Sequence, residues 1–216
     1  MNSATKKQIR FWVLTTVGLT VLVLIILGFA YANNNNPSVI TLTANDWIQG
    51  NPEAKTTLVQ YSDFQCPACV QFQQYFKTKI EPTLSNKVRV VYRNYPLTSI
   101  HPRALLAAQA AEAAGLQGKF WEMHDQLFAD QSAWVGAMDP QILFEQYATT
   151  LGLNLVRFKA DMTSDTVKNA IAEDIASGDK AGIEGTPSFF INGKKVTLKN
   201  SYDELKQLID KSVAAQ

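Results

Sequence analysis

The chain has 216 residues, 46% of them hydrophobic and 18% charged, with 20 Lys and Arg against 19 Asp and Glu. Those ordinary fractions describe one globular domain plus a further segment, and the absence of a basic stripe argues against nucleic-acid binding. Only two cysteines are present, so no disulfide framework holds the fold and it must rest on a hydrophobic core.

The further segment is N-terminal. Phe11 to Ala32 is an uncharged run of 22 residues, long enough at 1.5 Å per residue to cross a bilayer core of about 30 Å. Lys6, Lys7 and Arg10 precede it, and no acidic residue appears before Asp46. The positive-inside rule therefore predicts a cytoplasmic leader at 1–10, a single-pass anchor at 11–32, a linker at 33–38 and an exported domain at 39–216. Ala30-Tyr31-Ala32 is an A-x-A signal, so a cleaved signal peptide is the competing reading. The run exceeds the roughly 7–15 apolar residues of a signal peptide, which favours a retained anchor. Taking the three leader charges from the 20 basic residues leaves 17 against 19 acidic ones, a nearly neutral exported part.

Within the domain, Val39-Ile40-Thr41-Leu42-Thr43 reads as a first strand, and Trp47 and Ile48 lead into a Gly50-Asn51-Pro52 turn. Thr57-Leu58-Val59-Gln60-Tyr61 reads as a buried strand. Phe72, Phe76 and Ile80 then mark one face of a helix that follows at once and ends near Pro82. Val88 to Arg93 is a second strong strand, so strand, helix and strand predict a right-handed parallel crossover. From about 101 to 182 the pattern is helical: an Ala-rich helix from Ala104 to Ala114, another through Phe120 to Phe128, a third opened by Asp139-Pro140, and two more capped by Asn154 and Ser164. Phe189 to Leu198 is a hairpin turned by Asn192-Gly193, and Ser201 is placed to cap a last amphipathic helix. The layout is an α/β sheet with a helical domain inserted between its halves.

Both cysteines lie in Phe64-Gln65-Cys66-Pro67-Ala68-Cys69, where the buried strand turns into the helix. Pro67 falls at the first helical position, where its missing N–H costs nothing. Cys66 then sits at the helix mouth, whose free N–H groups and dipole favour a thiolate, the nucleophilic form. Cys69 follows one turn later on the apolar face and is predicted to be the more buried. An exposed attacking sulfur beside a shielded resolving one suits thiol–disulfide exchange. Two other readings of the pair are half a zinc site, for which His101 and His124 lack ligand spacing, and a structural disulfide in a loop too short to constrain much. No metal is predicted.

Five ordered motifs give this chain a family resemblance. They are Tyr61 to Cys69, Tyr92-Arg93-Asn94-Tyr95-Pro96-Leu97, Ile100-His101-Pro102, Gly118 to Asp125, and Gly185-Thr186-Pro187-Ser188-Phe189-Phe190-Ile191-Asn192-Gly193. From about Asn51 onward the chain resembles the DsbA-like thiol:disulfide oxidoreductases of the thioredoxin superfamily. The resemblance implies a thioredoxin-like fold with the helical insertion, and a redox-active Cys66–Cys69 disulfide in place of any cofactor. It further implies a cis Pro187 lying against the cysteines, with the backbone of Thr186 pairing with a substrate chain as an added strand. Pro67 and Ala68, with Thr186 and Pro187, would support the active site. One departure stands out: where the family often has a buried acid six residues before the first cysteine, this chain has Gln60. A neutral amide cannot take a proton from Cys69, so water or another group must.

Asp63 reads as a turn cap or a support for Gln65, His101 as a helix-start residue, and His124, among aromatics, as structural. Ala68 offers no side-chain donor between the cysteines, which predicts a Cys66 pKa of roughly 5–7 and a moderate oxidant. The expected function is an anchored oxidase on the outer face of a bacterial cytoplasmic membrane. It would act as a monomer on reduced or unfolded exported proteins, and the resemblance implies re-oxidation by a quinone-linked partner of the DsbB or vitamin K epoxide reductase type. A reductase or isomerase, and a non-catalytic client-binding chaperone, are the alternatives.

Overall fold

The computed structural model describes residues 3–34, 40–199 and 201–216, with side chains at 12–28 in the first stretch. They fall into two units divided after Pro37. In the first, Ser3–Asn34 is a single helix, α1. Its side chains from 12 to 28 are exposed all round, Trp12, Leu14, Leu19 and Leu24 among them. Among the described residues no helix is long and apolar enough to cross a membrane. The expected linker lies outside the described residues from 35 onward, as do the first two residues of the expected leader.

In the second unit, β1 (Trp47–Gly50), β2 (Thr56–Ser62), β3 (Val88–Asn94), β4 (Ser188–Ile191) and β5 (Lys194–Val196) form one sheet in the order β1-β3-β2-β4-β5. β2 and β3 run parallel, and every other pair is antiparallel. Every residue of β2 is buried, Gln60 and Ser62 included, as in a strand covered on both faces. The crossover from β2 to β3 carries α2 (Pro67–Tyr75). Between β3 and β4 come α3 (Ala104–Gly115), α4 (Phe120–Ala129), α5 (Gln131–Gly136), α6 (Pro140–Thr150), α7 (Leu155–Met162) and α8 (Asp165–Lys180); α9 (Tyr202–Ala214) closes the chain.

The helical segment is not a separate body. One apolar cluster joins it to Phe64, Cys66, Cys69 and Tyr92 of the sheet side. Fully buried Ala107, Ala110, Ala111 and Ala114 let α4, α7 and α8 approach α3 closely. The α3 C-terminus is just as tight, because a Cβ at Gly115 would come within 2.3 Å of the Trp47 ring. That ring is stacked on Phe120 at 4.6 Å and donates from Nε1 to Glu112. Gly115→Ala is therefore expected to cost about 1–3 kcal/mol through overpacking, read as a lowered urea midpoint; an unchanged midpoint would mean that the indole yields freely.

Three local expectations are corrected. The strand read at 39–43 is absent over its described residues 40–43, and the edge of the sheet is instead β1, which contains Trp47 and Ile48. The backbone of 40–43 has other partners: Ile40 N donates to Gly193 O, Thr41 O accepts from Arg93 and Thr43 N donates to Asp46. β-branched content makes a strand only where a ladder slot is free. The redox helix ends as an α-helix at Tyr75 and continues through a π-turn, Phe76–Ile80, and a 3-10 turn, Glu81–Thr83. Phe72, Phe76 and Ile80 share one buried cluster, so their spacing located the face but not the hydrogen-bond pattern. Finally, no hydrogen bond from the Ser201 side chain caps α9; Asp139, Asn154 and Ser164 do cap α6, α7 and α8 with theirs. The hairpin turn has φ of 49° at Asn192 and 79° at Gly193, the left-handed pair that an Asn-Gly turn supplies.

Candidate active site

Cys66 is the N-cap of α2, in extended conformation, with Pro67 as the first helical residue. The amides of Cys69 and Val70 donate to its carbonyl at 3.1 and 3.2 Å, closing the first turn. Both cysteines are free thiols. Cys69 is 0% exposed and Cys66 only 7%, so the outer sulfur is far less open than its place at the helix mouth implied. The cover is the Thr186-Pro187 segment, which carries a cis peptide bond and brings the Thr186 carbonyl to 3.4 Å, where the Cys66 thiol donates to it. Pro67 is exposed and Ala68 half-buried, so these two form the outer surface of the pair.

The two sulfurs are driven apart electrostatically. The Cys66 pKa falls to about 5, chiefly because the Cys69 thiol donates to its thiolate. The Thr186 hydroxyl and the amides of Ala68 and Cys69 add to this, against the opposing effect of burial. Cys69 is raised above its ordinary value by burial and by its neighbour Cys66. The helix-mouth amides therefore contribute, but the inner cysteine contributes most, and the sequence held no sign of that order.

Several other groups hold the Cys66 loop. Asp63 accepts from Gln65 N at 2.7 Å and Leu97 N at 2.8 Å, and pairs with His101 Nδ1 at 2.7 Å. Gln65 accepts from Arg103 N, and Gln131 Nε2 donates to Phe64 O at 2.6 Å. Tyr202 on α9 donates to the carbonyl of Ala68 at 3.2 Å. Gln131 and Tyr202 carried no local signal and went unnoticed in the sequence. His124 is buried among Phe64, Tyr92, Trp121 and Phe128, with burial lowering its pKa, and takes no part in the pair. Gln60 is buried on β2, on the face shared with Tyr92. Among the described residues no group of three or more His, Cys, Asp or Glu could hold a metal ion.

A strand-to-helix Cys-Pro-Ala-Cys turn closed by a cis-proline loop, on a sheet of this order, is the architecture of a thioredoxin-type redox domain. The thioredoxin family model matches residues 42–211, and the chain belongs to that family. Its fold and two-cysteine site are those of a thiol:disulfide oxidoreductase. Among solved structures, a thioredoxin-like oxidoreductase from Silicibacter pomeroyi DSS-3 is 28% identical with a TM-score of 0.66, over 81% of this chain and 95% of that one. BdbD from Bacillus subtilis shares the fold at 23% identity and a TM-score of 0.68, over 83% of this chain and 100% of its own. Wolbachia pipientis alpha-DsbA1 shares it at 21% and 0.66, over 82% and 94%. A further likeness is to the Na(+)/H(+) antiporter NhaA 1 of Salinispora arenicola, 43% identical over 150 residues. The match covers 69% of this chain but spans only 22% of the antiporter's length, so antiport does not carry over.

Proposed function

We propose that this chain oxidises cysteine pairs in exported proteins, held by an N-terminal anchor on the outer face of the cytoplasmic membrane. The single observation that carries the direction is the depressed Cys66 pKa, about 5, beside a raised one at Cys69. A stabilised outer thiolate stabilises the reduced dithiol, and a couple whose reduced form is favoured is an oxidant. In the reaction a client thiolate attacks Cys66 Sγ of the oxidised pair, the S–S bond breaks and Cys69 leaves. A second client thiolate then attacks the client sulfur of the mixed disulfide and releases Cys66 as thiolate. The client gains a disulfide, and the pair gains two electrons.

No cofactor enters this scheme. Client chains would lie along Thr186, pairing backbone to backbone ahead of β4, which gives sequence-tolerant binding. The anchor reading draws support from α1, whose apolar side chains from 12 to 28 face outward on all sides, a pattern that fits lipid better than water. Tethering would raise the effective concentration at a membrane quinone-linked partner of the DsbB or vitamin K epoxide reductase type, with the protein acting as a monomer.

The test is the reduction potential. Thioredoxin, with an outer pKa near 7, stands at about −270 mV. Lowering that pKa to about 5 favours the reduced form at pH 7 by a factor of about 50, or roughly 50 mV. A potential near −220 mV is expected from this contribution, and one below −270 mV would make the protein a reductase. Thiolate absorbance should titrate with a midpoint close to 5. Because the folded pKa lies below the ordinary 9.0, ionisation stabilises the reduced protein fully above pH 9, and this is lost as pH falls toward 5. Thermal melts should show the stability of the reduced form, relative to the oxidised form, declining across that window.

A further inference from the structure

Tyr202, the first residue of α9, reaches the redox turn from 134 positions away. Its hydroxyl donates to the Ala68 carbonyl at 3.2 Å. The ring is fixed for that contact, with its centroid 5.1 Å from Phe72, 5.7 Å from Tyr75 and 6.4 Å from Phe189. Phe72 and Tyr75 belong to α2 and Phe189 to β4, so the side chain that bonds the first turn of α2 also packs α9 onto that helix. Asp203, next in the chain, is engaged elsewhere, since the Tyr75 hydroxyl donates to it.

The bonded carbonyl matters because of what shares its peptide unit. The Ala68 C=O and the Cys69 N–H are the two ends of one planar, conjugated amide. A donor on the oxygen draws electron density toward it and leaves the N–H more positive, which is how hydrogen bonds in a chain strengthen one another. That N–H closes the turn on Cys66, donating to its carbonyl at 3.1 Å, and it is among the groups that favour the Cys66 thiolate. The phenol keeps its proton while Cys66 ionises, because burial and then the charges of Cys69 and Cys66 hold it above its ordinary value of 10.0. Ala68 brings no side-chain donor to the space between the cysteines. Through the Ala68 carbonyl, α9 supplies one at a distance of one peptide.

We propose that Tyr202 is a positioning residue for disulfide exchange, whose bond to Ala68 polarises the Ala68–Cys69 peptide toward Cys66 and so favours the reduced pair. In the oxidised pair no charge stands on Cys66, and the bond contributes little there. In the reduced pair it stabilises the outer thiolate. Tyr202 therefore makes the couple a stronger oxidant, which deepens the oxidase reading above and rests on it.

The test is Tyr202→Phe in the full-length protein, which removes one oxygen and keeps the ring contacts. Cooperative strengthening is about 10–30% of a hydrogen bond, and bonds to charged groups are the stronger kind, so the acidity of Cys66 should fall about two- to fourfold. The midpoint of thiolate absorbance should rise accordingly. The equilibrium constant with glutathione should move by the same factor toward the oxidised protein, and thermal melts should show the reduced form losing stability relative to the oxidised one. A packing role alone would lower both melts equally and leave the midpoint and the glutathione equilibrium unchanged; that result overturns the proposal. If Tyr202→Phe does not fold, 3-fluorotyrosine placed at position 202 alone, a stronger donor of nearly the same shape, should lower the midpoint. No movement, or a rise, overturns the proposal as well. If the wild-type protein exchanges with no disulfide at all, the oxidase reading falls, while the absorbance midpoints still decide the role of Tyr202.

Discussion

Cys66→Ser is expected to reduce client oxidation to the uncatalysed background, because it removes the outer of the two cysteine sulfurs, the one a client thiolate attacks. Cys69 is fully buried, and it is Cys66 whose Sγ lies 3.4 Å from the Thr186 carbonyl of the cis-proline loop. Cys69→Ala should also end turnover, but by a different route. An outer thiol without its partner still exchanges with client disulfides, yet nothing within the protein resolves the product, so mixed disulfides accumulate. They should appear as higher bands on non-reducing gels and vanish with reductant. The same variant should raise the Cys66 pKa above about 5, since the Cys69 thiol is the largest influence lowering it. Thiolate absorbance would show that rise. Full activity in cells with both cysteines replaced by alanine would leave only a client-binding chaperone on this fold.

The largest effect on stability is expected at Asp46, far from the chemistry. Its carboxylate receives Arg93 Nε at 2.7 Å and Nη2 at 2.9 Å, and both side chains are almost wholly buried, at 1% and 3% exposure. Arg93 also donates to Tyr61 OH and to the carbonyl of Thr41, both at 2.8 Å. Asp46→Ala leaves that guanidinium buried without its counter-charge, which costs about 3–5 kcal/mol. For a domain of this size the melting temperature should fall by roughly 6–20 °C. The paired replacement Asp46→Leu with Arg93→Met should recover much of the loss, because two apolar groups leave no charge stranded. If the single variant melts within two degrees of wild type, water must be reaching Arg93.

Residues that act on near neighbours could be read directly. The Cys-Pro-Ala-Cys turn at the head of a helix, the Asn192-Gly193 hairpin and the caps at Asp139, Asn154 and Ser164 all depend on contacts within a few positions. The signals that misled were also local. Val39 to Thr43 have strand propensity, but the slot beside β3 went to Trp47–Gly50, a choice made by a partner some forty residues away. Ser201 has the right chemistry for a cap but makes no such bond. The family resemblance brought Thr186 and Pro187 to the site; periodicity alone would have read them as a turn.

From its own order of residues, then, this chain determined where a nucleophilic sulfur would stand and which sulfur would lie behind it, since helix start and apolar face are both properties of adjacent positions. Only the tertiary structure decided how acidic that sulfur is and how it is covered. Those depend on Thr186, 120 positions away, on Gln131 across the helical segment and on the solvent-free space around Cys69. Burial and charge act through distance in space, and a linear sequence does not record that distance.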